Sequence, residues 1–175
     1  MIVFHIEPLH GRWSVTDEAV AVLIDATVAE AGLPTEPPGS FFGADYELSV
    51  ALSDDRHVRR LNRDYRGHDR ATNVLSFPSE QIAPGELPPH PMLGDLVFAH
   101  ETCAREAQAQ NKGFDEHFAH LFVHGLLHLY GYDHSSEAEA QVMEALERST
   151  LARLGIADPY AQMDAARESR ADHAG

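Results

Sequence analysis

His124-Gly125-Leu126-Leu127-His128-Leu129-Tyr130-Gly131-Tyr132-Asp133-His134 is the stretch on which the reading of this chain turns. Set on a helix advancing about 100° per residue, Phe118, Leu121, Phe122, Gly125 and Leu129 fall in one apolar sector, with His124 and His128 about 40° apart on another. The first sector predicts a helix packed on a core, and the second puts two imidazoles on one face. Gly131 predicts the helix stop, because glycine takes the left-handed C-cap conformation at little steric cost, and the returning chain brings His134 toward the same point. Three neutral imidazoles on one point suit zinc, with Zn–N distances of about 2.0–2.1 Å and a fourth position left for water, as in a catalytic site. His120, four residues before His124, is an alternative partner on the same face. His134 is favoured, because three histidines along a straight helix would spread their ligands over about 12 Å at about 1.5 Å per residue.

Further out, residues 1–7 predict a first strand and Asp17 to Ala31 a helix, capped by Thr16 and stopped by Gly32 and Pro34. Residues 34–43 predict a loop before Tyr46-Glu47-Leu48-Ser49-Val50-Ala51-Leu52, which alternates like a half-buried strand. Ser53 is the expected cap of the next helix, which carries Val58, Leu61 and Tyr65 at spacings of three and four, so that it can bury one stripe and project the arginines elsewhere, and Gly67 marks its expected end. Thr72 to Phe77, closed by Pro78, and Leu93 to Ala99 predict two more strands, separated by a proline-rich loop over residues 80–91. Helices are expected at about 101–111, 115–130 and 136–153, the last opened by a capping box of Ser136 and Glu139. This order implies an α/β (α+β) fold: one mixed sheet of about four strands with helices packed on it, the metal site lying on the helix of His124 and His128. A length of 175 residues fits a single domain, placed at residues 1–160, with a polar tail at 161–175 expected to be flexible.

Hydrophobic residues at 43% and charged residues at 23% exclude wholesale disorder and a fibrous architecture. Cys103 is the only cysteine, which excludes an internal disulfide and a Cys-rich metal cluster and fits a reducing compartment, so a cytoplasmic location is expected. Met1 to Glu7 has no basic start and does not read as a signal peptide. The apolar run Leu121 to Tyr132 is 12 residues long and holds two histidines, too short for a membrane span, and no membrane partner is expected. A net charge of −15 repels nucleic acid and anionic lipid at long range. Locally the sign reverses: Arg56, Arg59, Arg60, Arg63, Arg66 and Arg70, six of the 13 basic residues, face only Asp64 and Asp69 within residues 56–70. Such a patch can bind a phosphate backbone, because charges beyond about 8 Å are screened at physiological salt, whereas a solvated helix face is the plain alternative.

The histidine stretch departs from the zinc-protease pattern H-E-x-x-H at Gly125, where the water-activating glutamate would stand, so a peptidase would lack its base. A metal there can still acidify water toward a pKa of about 7 and act as a Lewis acid on a phosphoryl oxygen, with a guanidinium as partner.

Two further stretches join it: Leu61-Asn62-x-x-Tyr65-Arg66-Gly67-x-Asp69-x-x-Thr72-Asn73-Val74-Leu75-Ser76-Phe77-Pro78 and Leu93-Gly94-Asp95-Leu96-Val97. Together with His124-Gly125-x-x-His128-Leu129-x-Gly131-Tyr132-Asp133-His134, over roughly residues 44–160, they resemble the YbeY endoribonucleases, bacterial rRNA maturation factors. The resemblance implies a cytoplasmic, metal-dependent, single-strand-specific endoribonuclease that matures the 3′ end of 16S rRNA and takes part in ribosome quality control. It further implies that His124, His128 and His134 hold one metal ion, Zn2+ or another first-row divalent ion, and that Arg66 is the catalytic arginine. Its implied partners are single-stranded rRNA precursors, ribosomal subunits and ribosomal proteins. From the residues alone, Arg66 is equally a surface ion pair with Asp64 or Asp69. Asn73 and Ser76 read as substrate contacts or as partners of backbone groups, and Asp133 as an acceptor behind the last ligand or as a base. A non-catalytic ribosome assembly factor with a structural metal is the second reading, and a peptidase the third.

Overall fold

The structure, a computed structural model, describes residues 1–36 and 45–161. Its elements run β1 (Ile2–Pro8), α1 (Asp17–Ala31), β2 (Tyr46–Ser53), α2 (Asp55–Arg66), β3 (Val74–Pro78), β4 (Met92–Ala99), α3 (His100–Ala109), α4 (Phe114–Leu129) and α5 (Glu137–Arg153). The four strands form one sheet in the order β1-β2-β4-β3, with β1 and β4 parallel to β2 and β3 antiparallel to β4. The parallel pairs are the ones linked through helices, as the element order requires. From residue 37 the expected loop, and from residue 162 the expected tail, lie outside the described residues.

Alternation along the strands sorts side chains to two faces. Leu48, Val50 and Leu52 of β2 and Leu96 and Phe98 of β4 enter the larger core, with Val20 and Ile24 of α1 and Phe122 and Leu126 of α4. On the other face Leu75, Val97 and Ala99 close around Val58 of α2. Each leucine or phenylalanine so buried contributes about 1.5–3 kcal/mol. With Phe118, Leu121, Phe122, Leu126, Leu127 and Leu129 all buried, α4 is fixed by packing more than by helix propensity.

Local signals set most element ends. Thr16 Oγ1 accepts the Ala19 N–H at 3.2 Å, Gly32 stops α1 at φ 61°, and Ser136 with Glu139 forms the capping box of α5. The cap of α2 is Asp54, not Ser53: Asp54 Oδ1 accepts the His57 N–H at 2.7 Å, while Ser53 is the last residue of β2. A carboxylate is the stronger acceptor for the positive end of a helix. Strand β3 starts at Val74 rather than Thr72, because the Asn73 side chain takes the Val74 N–H at 2.7 Å and so occupies the donor at the strand's edge.

The close approach that matters for the site occurs after α4. Gly131 sits at φ 80°, and a β carbon on it would lie 2.5 Å from the Ile82 carbonyl oxygen and 2.8 Å from that of Ala83. Gly131→Ala is expected to cost about 2 kcal/mol through its left-handed backbone, more with the clash. Urea unfolding with an unchanged m-value reads this directly, and an unshifted midpoint would show that the turn accommodates a side chain.

Candidate metal centre

His124 and His128 stand one turn apart near the C-terminal end of α4, and each has its Nδ1 occupied. His124 Nδ1 lies 2.8 Å from Glu147 Oε1, and His128 Nδ1 lies 2.9 Å from the Tyr132 carbonyl oxygen. Both partners are pure acceptors, so both Nδ1 atoms carry the proton. The two Nε2 atoms face each other at 3.0 Å, close enough for one cation to meet both. Burial and the neighbouring His124 push the His128 imidazole down to about 4, so it is neutral near pH 7 and offers its lone pair without shedding a proton.

The third ring arrives as the glycine turn requires. Beyond Gly131, the Asp133 carboxylate accepts the His134 N–H at 2.8 Å and the Ser135 hydroxyl, folding the chain back. One ligand atom from each of His124, His128 and His134 lies within 4.8 Å of the others. Three imidazole nitrogens with an open side are a donor set that zinc and other first-row divalent ions accept. His120 turns away: its Nε2 lies 2.9 Å from Glu147 Oε2, on the α5 side. His117 belongs to another cluster, 2.8 Å from Glu106 Oε2.

Glu147 escapes a reading of motifs. It is 1% exposed, and its carboxylate receives His124, His120 and the Tyr160 hydroxyl. Burial pushes its pKa up, but the hydrogen bonds from His120 and His124 outweigh that and hold it well below the usual carboxylate range. A carboxylate behind a ligating imidazole fixes the tautomer and raises the ring's basicity. The available signal was its position between Met143 and Leu151 on the buried stripe of α5, where an acid has no place without a polar partner.

The three histidines open into a cleft of about 610 Å³ that Arg66, Asn73, Ser76, Glu80 and Asp133 also line. Arg66 Nη2 donates to the Ser76 carbonyl oxygen at 2.7 Å, with the guanidinium 5.7 Å from the centre of the Phe77 ring. The ion pairs weighed for it are formed by its neighbours: Asp69 pairs with Arg59 and Asp64 with Arg63, each at 2.7 Å. Asn73 is tied to Glu106 Oε2 at 2.9 Å and to the Val74 N–H, and Asp133 to the turn. A β carbon on Gly125 would stand 2.9 Å from Leu96 Cδ2, so the place of a protease glutamate is packed against β4.

A sequence model described as Endoribonuclease YbeY matches residues 15–155. The chain belongs to the YbeY endoribonuclease family. Curated relatives named Endoribonuclease YbeY include one from Rhodopseudomonas palustris (strain BisA53), 49% identical over 161 residues and 90% of each chain. Another, from Rhizobium meliloti (strain 1021), is 56% identical over 114 residues, covering 65% of this chain and 67% of the relative. A solution structure of a Thermotoga maritima protein is similar at a TM-score of 0.52 and 21% identity, covering 90% of this chain and 98% of that one, a likeness of fold.

Two outcomes follow. Glu147→Gln keeps the shape but removes the charge behind His124, and is expected to weaken zinc binding about 10–100-fold in competition with a chromophoric chelator. Parental affinity in that variant would mean that packing alone orients the ring. The lowered His128 pKa also makes the metal-free fold lose stability as pH falls from about 6.5 toward 4, because the unfolded chain takes up the proton first. Melting temperatures across that window should fall for the parent and fall less for His128→Asn.

Proposed function

We propose that this chain is a zinc-dependent endoribonuclease that cuts single-stranded RNA in the cytoplasm, acting on the 3′ end of 16S rRNA precursors and in ribosome quality control. Its metal ligands are His124, His128 and His134, its catalytic arginine is Arg66, and residues 1–160 serve as one catalytic domain. The family supports the nuclease activity, and one observation carries the metal and the arginine: the Nε2 atoms of His124 and His128, 3.0 Å apart, open into the same cleft as Arg66. Ribosomal subunits and ribosomal proteins are the partners that the rRNA assignment brings with it. Among the described residues no helix is long and apolar enough to cross a membrane.

Zinc supplies a Lewis acid for a phosphoryl oxygen and lowers the pKa of water toward about 7. The protein's own residues do the placing. Glu147 and the Tyr132 carbonyl hold two rings in the tautomer that turns Nε2 to the cleft. The Ser76 carbonyl holds the guanidinium of Arg66, whose remaining N–H groups are free to meet nonbridging oxygens as charge builds on them. Preorganised charge of this kind is usually the largest catalytic contribution. A recessed centre favours a strand flexible enough to bend its backbone inward, which is the property that separates single-stranded RNA from a duplex.

The test is cleavage of an end-labelled single-stranded RNA by the purified full chain. A chelator, His128→Ala and Arg66→Glu are each expected to abolish cutting while the circular dichroism spectrum stays that of the parent, and metal analysis of His134→Ala is expected to show loss of zinc. Cleavage that persists in all these preparations would reject the proposal. Ribosome binding without cutting, by the zinc-loaded parent, would favour an assembly factor with a structural metal instead.

A further inference from the structure

We propose that Glu80 is the general base of the cleavage reaction, an assignment that rests on the nuclease function above. An attacking water must lose a proton as its oxygen bonds to phosphorus, and the cleft offers few groups able to take it. The ring nitrogens of His124 and His128 are committed, Nδ1 to acceptors and Nε2 to the shared point, and the guanidinium of Arg66 accepts nothing. Among the described residues lining the cleft, the carboxylates are Glu80 and Asp133. Asp133 has one oxygen on the His134 N–H and the other on the Ser135 hydroxyl, so both of its oxygens are already engaged in holding the turn. Glu80 is exposed, and among the described residues no hydrogen bond or ion pair engages its carboxylate.

The backbone on either side of Glu80 is fixed. Before it, the Ser79 N–H donates to the Leu93 carbonyl oxygen at 3.0 Å and the Ser79 hydroxyl to that of Met92. After it, the carbonyls of Ile82 and Ala83 abut Gly131, and the Gly85 N–H donates to the Tyr130 carbonyl oxygen at 2.9 Å. Glu80 therefore stands on a wall anchored to the same turn that presents His134, with a side chain free to reach a water in the cleft. One proton of the attacking water passes to the Glu80 carboxylate while the water oxygen bonds to phosphorus. The P–O bond to the leaving nucleoside oxygen breaks, that oxygen takes a proton from solvent, and Glu80 returns its own proton to solvent.

The experiment uses the zinc-loaded full chain and a single-stranded RNA oligonucleotide. Glu80→Gln is expected to lower kcat about 10²–10⁴-fold, with KM and bound zinc unchanged. Glu80→Ala is expected to fall as far and to regain rate in proportion to added formate, which supplies the missing carboxylate. A Glu80→Gln variant with the parent's kcat overturns the assignment, and so does a loss that tracks reduced zinc content or a raised KM alone. A zinc-loaded parent that leaves RNA intact overturns the nuclease function itself; an active parent with an unaffected Gln variant removes only the role of Glu80.

Discussion

Two imidazole nitrogens held 3.0 Å apart is the constraint around which the rest of this site is arranged. Left to themselves the rings could turn away from each other, since each is free to rotate about its side-chain bonds. Glu147 and the Tyr132 carbonyl prevent that by claiming the Nδ1 protons. The carboxylate is costly to bury, several kcal/mol for an unpartnered ion, and its hydrogen bonds from His124, His120 and Tyr160 offset the cost. Its negative charge also lies directly behind a ring that can take a metal, where it favours a cation on the far side. Stability and affinity are thus coupled through one residue of α5.

The guanidinium is placed by a different chain of contacts that meets the first at the sheet. Gly125 lets α4 settle so close that a β carbon would be 3.3 Å from Ser76 Oγ, and the carbonyl of that same Ser76 receives Arg66. The separation between the histidine cluster and the arginine is therefore set by how tightly a helix rests on β3 and β4. That is a rigid determinant, because protein interiors pack as densely as organic crystals and do not yield smoothly. The glycine that stands where a protease would carry its base is also the one that lets Ser76, the anchor of Arg66, lie against the histidine helix.

How much of this was legible in the sequence depends on the range of the interaction. The turn at Gly131, the shared face of His124 and His128, the caps at Thr16 and Ser136 and the alternation of β2 are local, and each could be read within a few residues. The choice of His134 over His120 was also legible, because it follows from helical rise alone. Ser53 misled because it and Asp54 are both good caps, and only the point where β2 releases the chain decides between them. Glu147 is 23 residues from His124 and reaches it only through α4–α5 packing, so periodicity flags it as an oddity without naming its partner. The same holds for Arg66, whose neighbours in sequence offered two carboxylates while the fold gave both to other arginines.

Those two ion pairs also change the meaning of the basic segment. Arg59 and Arg63 are neutralised by Asp69 and Asp64, whereas among the described residues Arg56, Arg60, Arg66 and Arg70 have no such carboxylate partner. The positive charge is thereby concentrated in fewer side chains than the sequence suggests, and one of them already lies in the cleft. With a Debye length of about 8 Å at physiological salt, a polyanion touching this edge feels those arginines and little of the −15 carried by the whole chain. Of these four arginines Arg66 is the one that lines the histidine cleft, so there the unpaired charge of the segment meets the ring nitrogens.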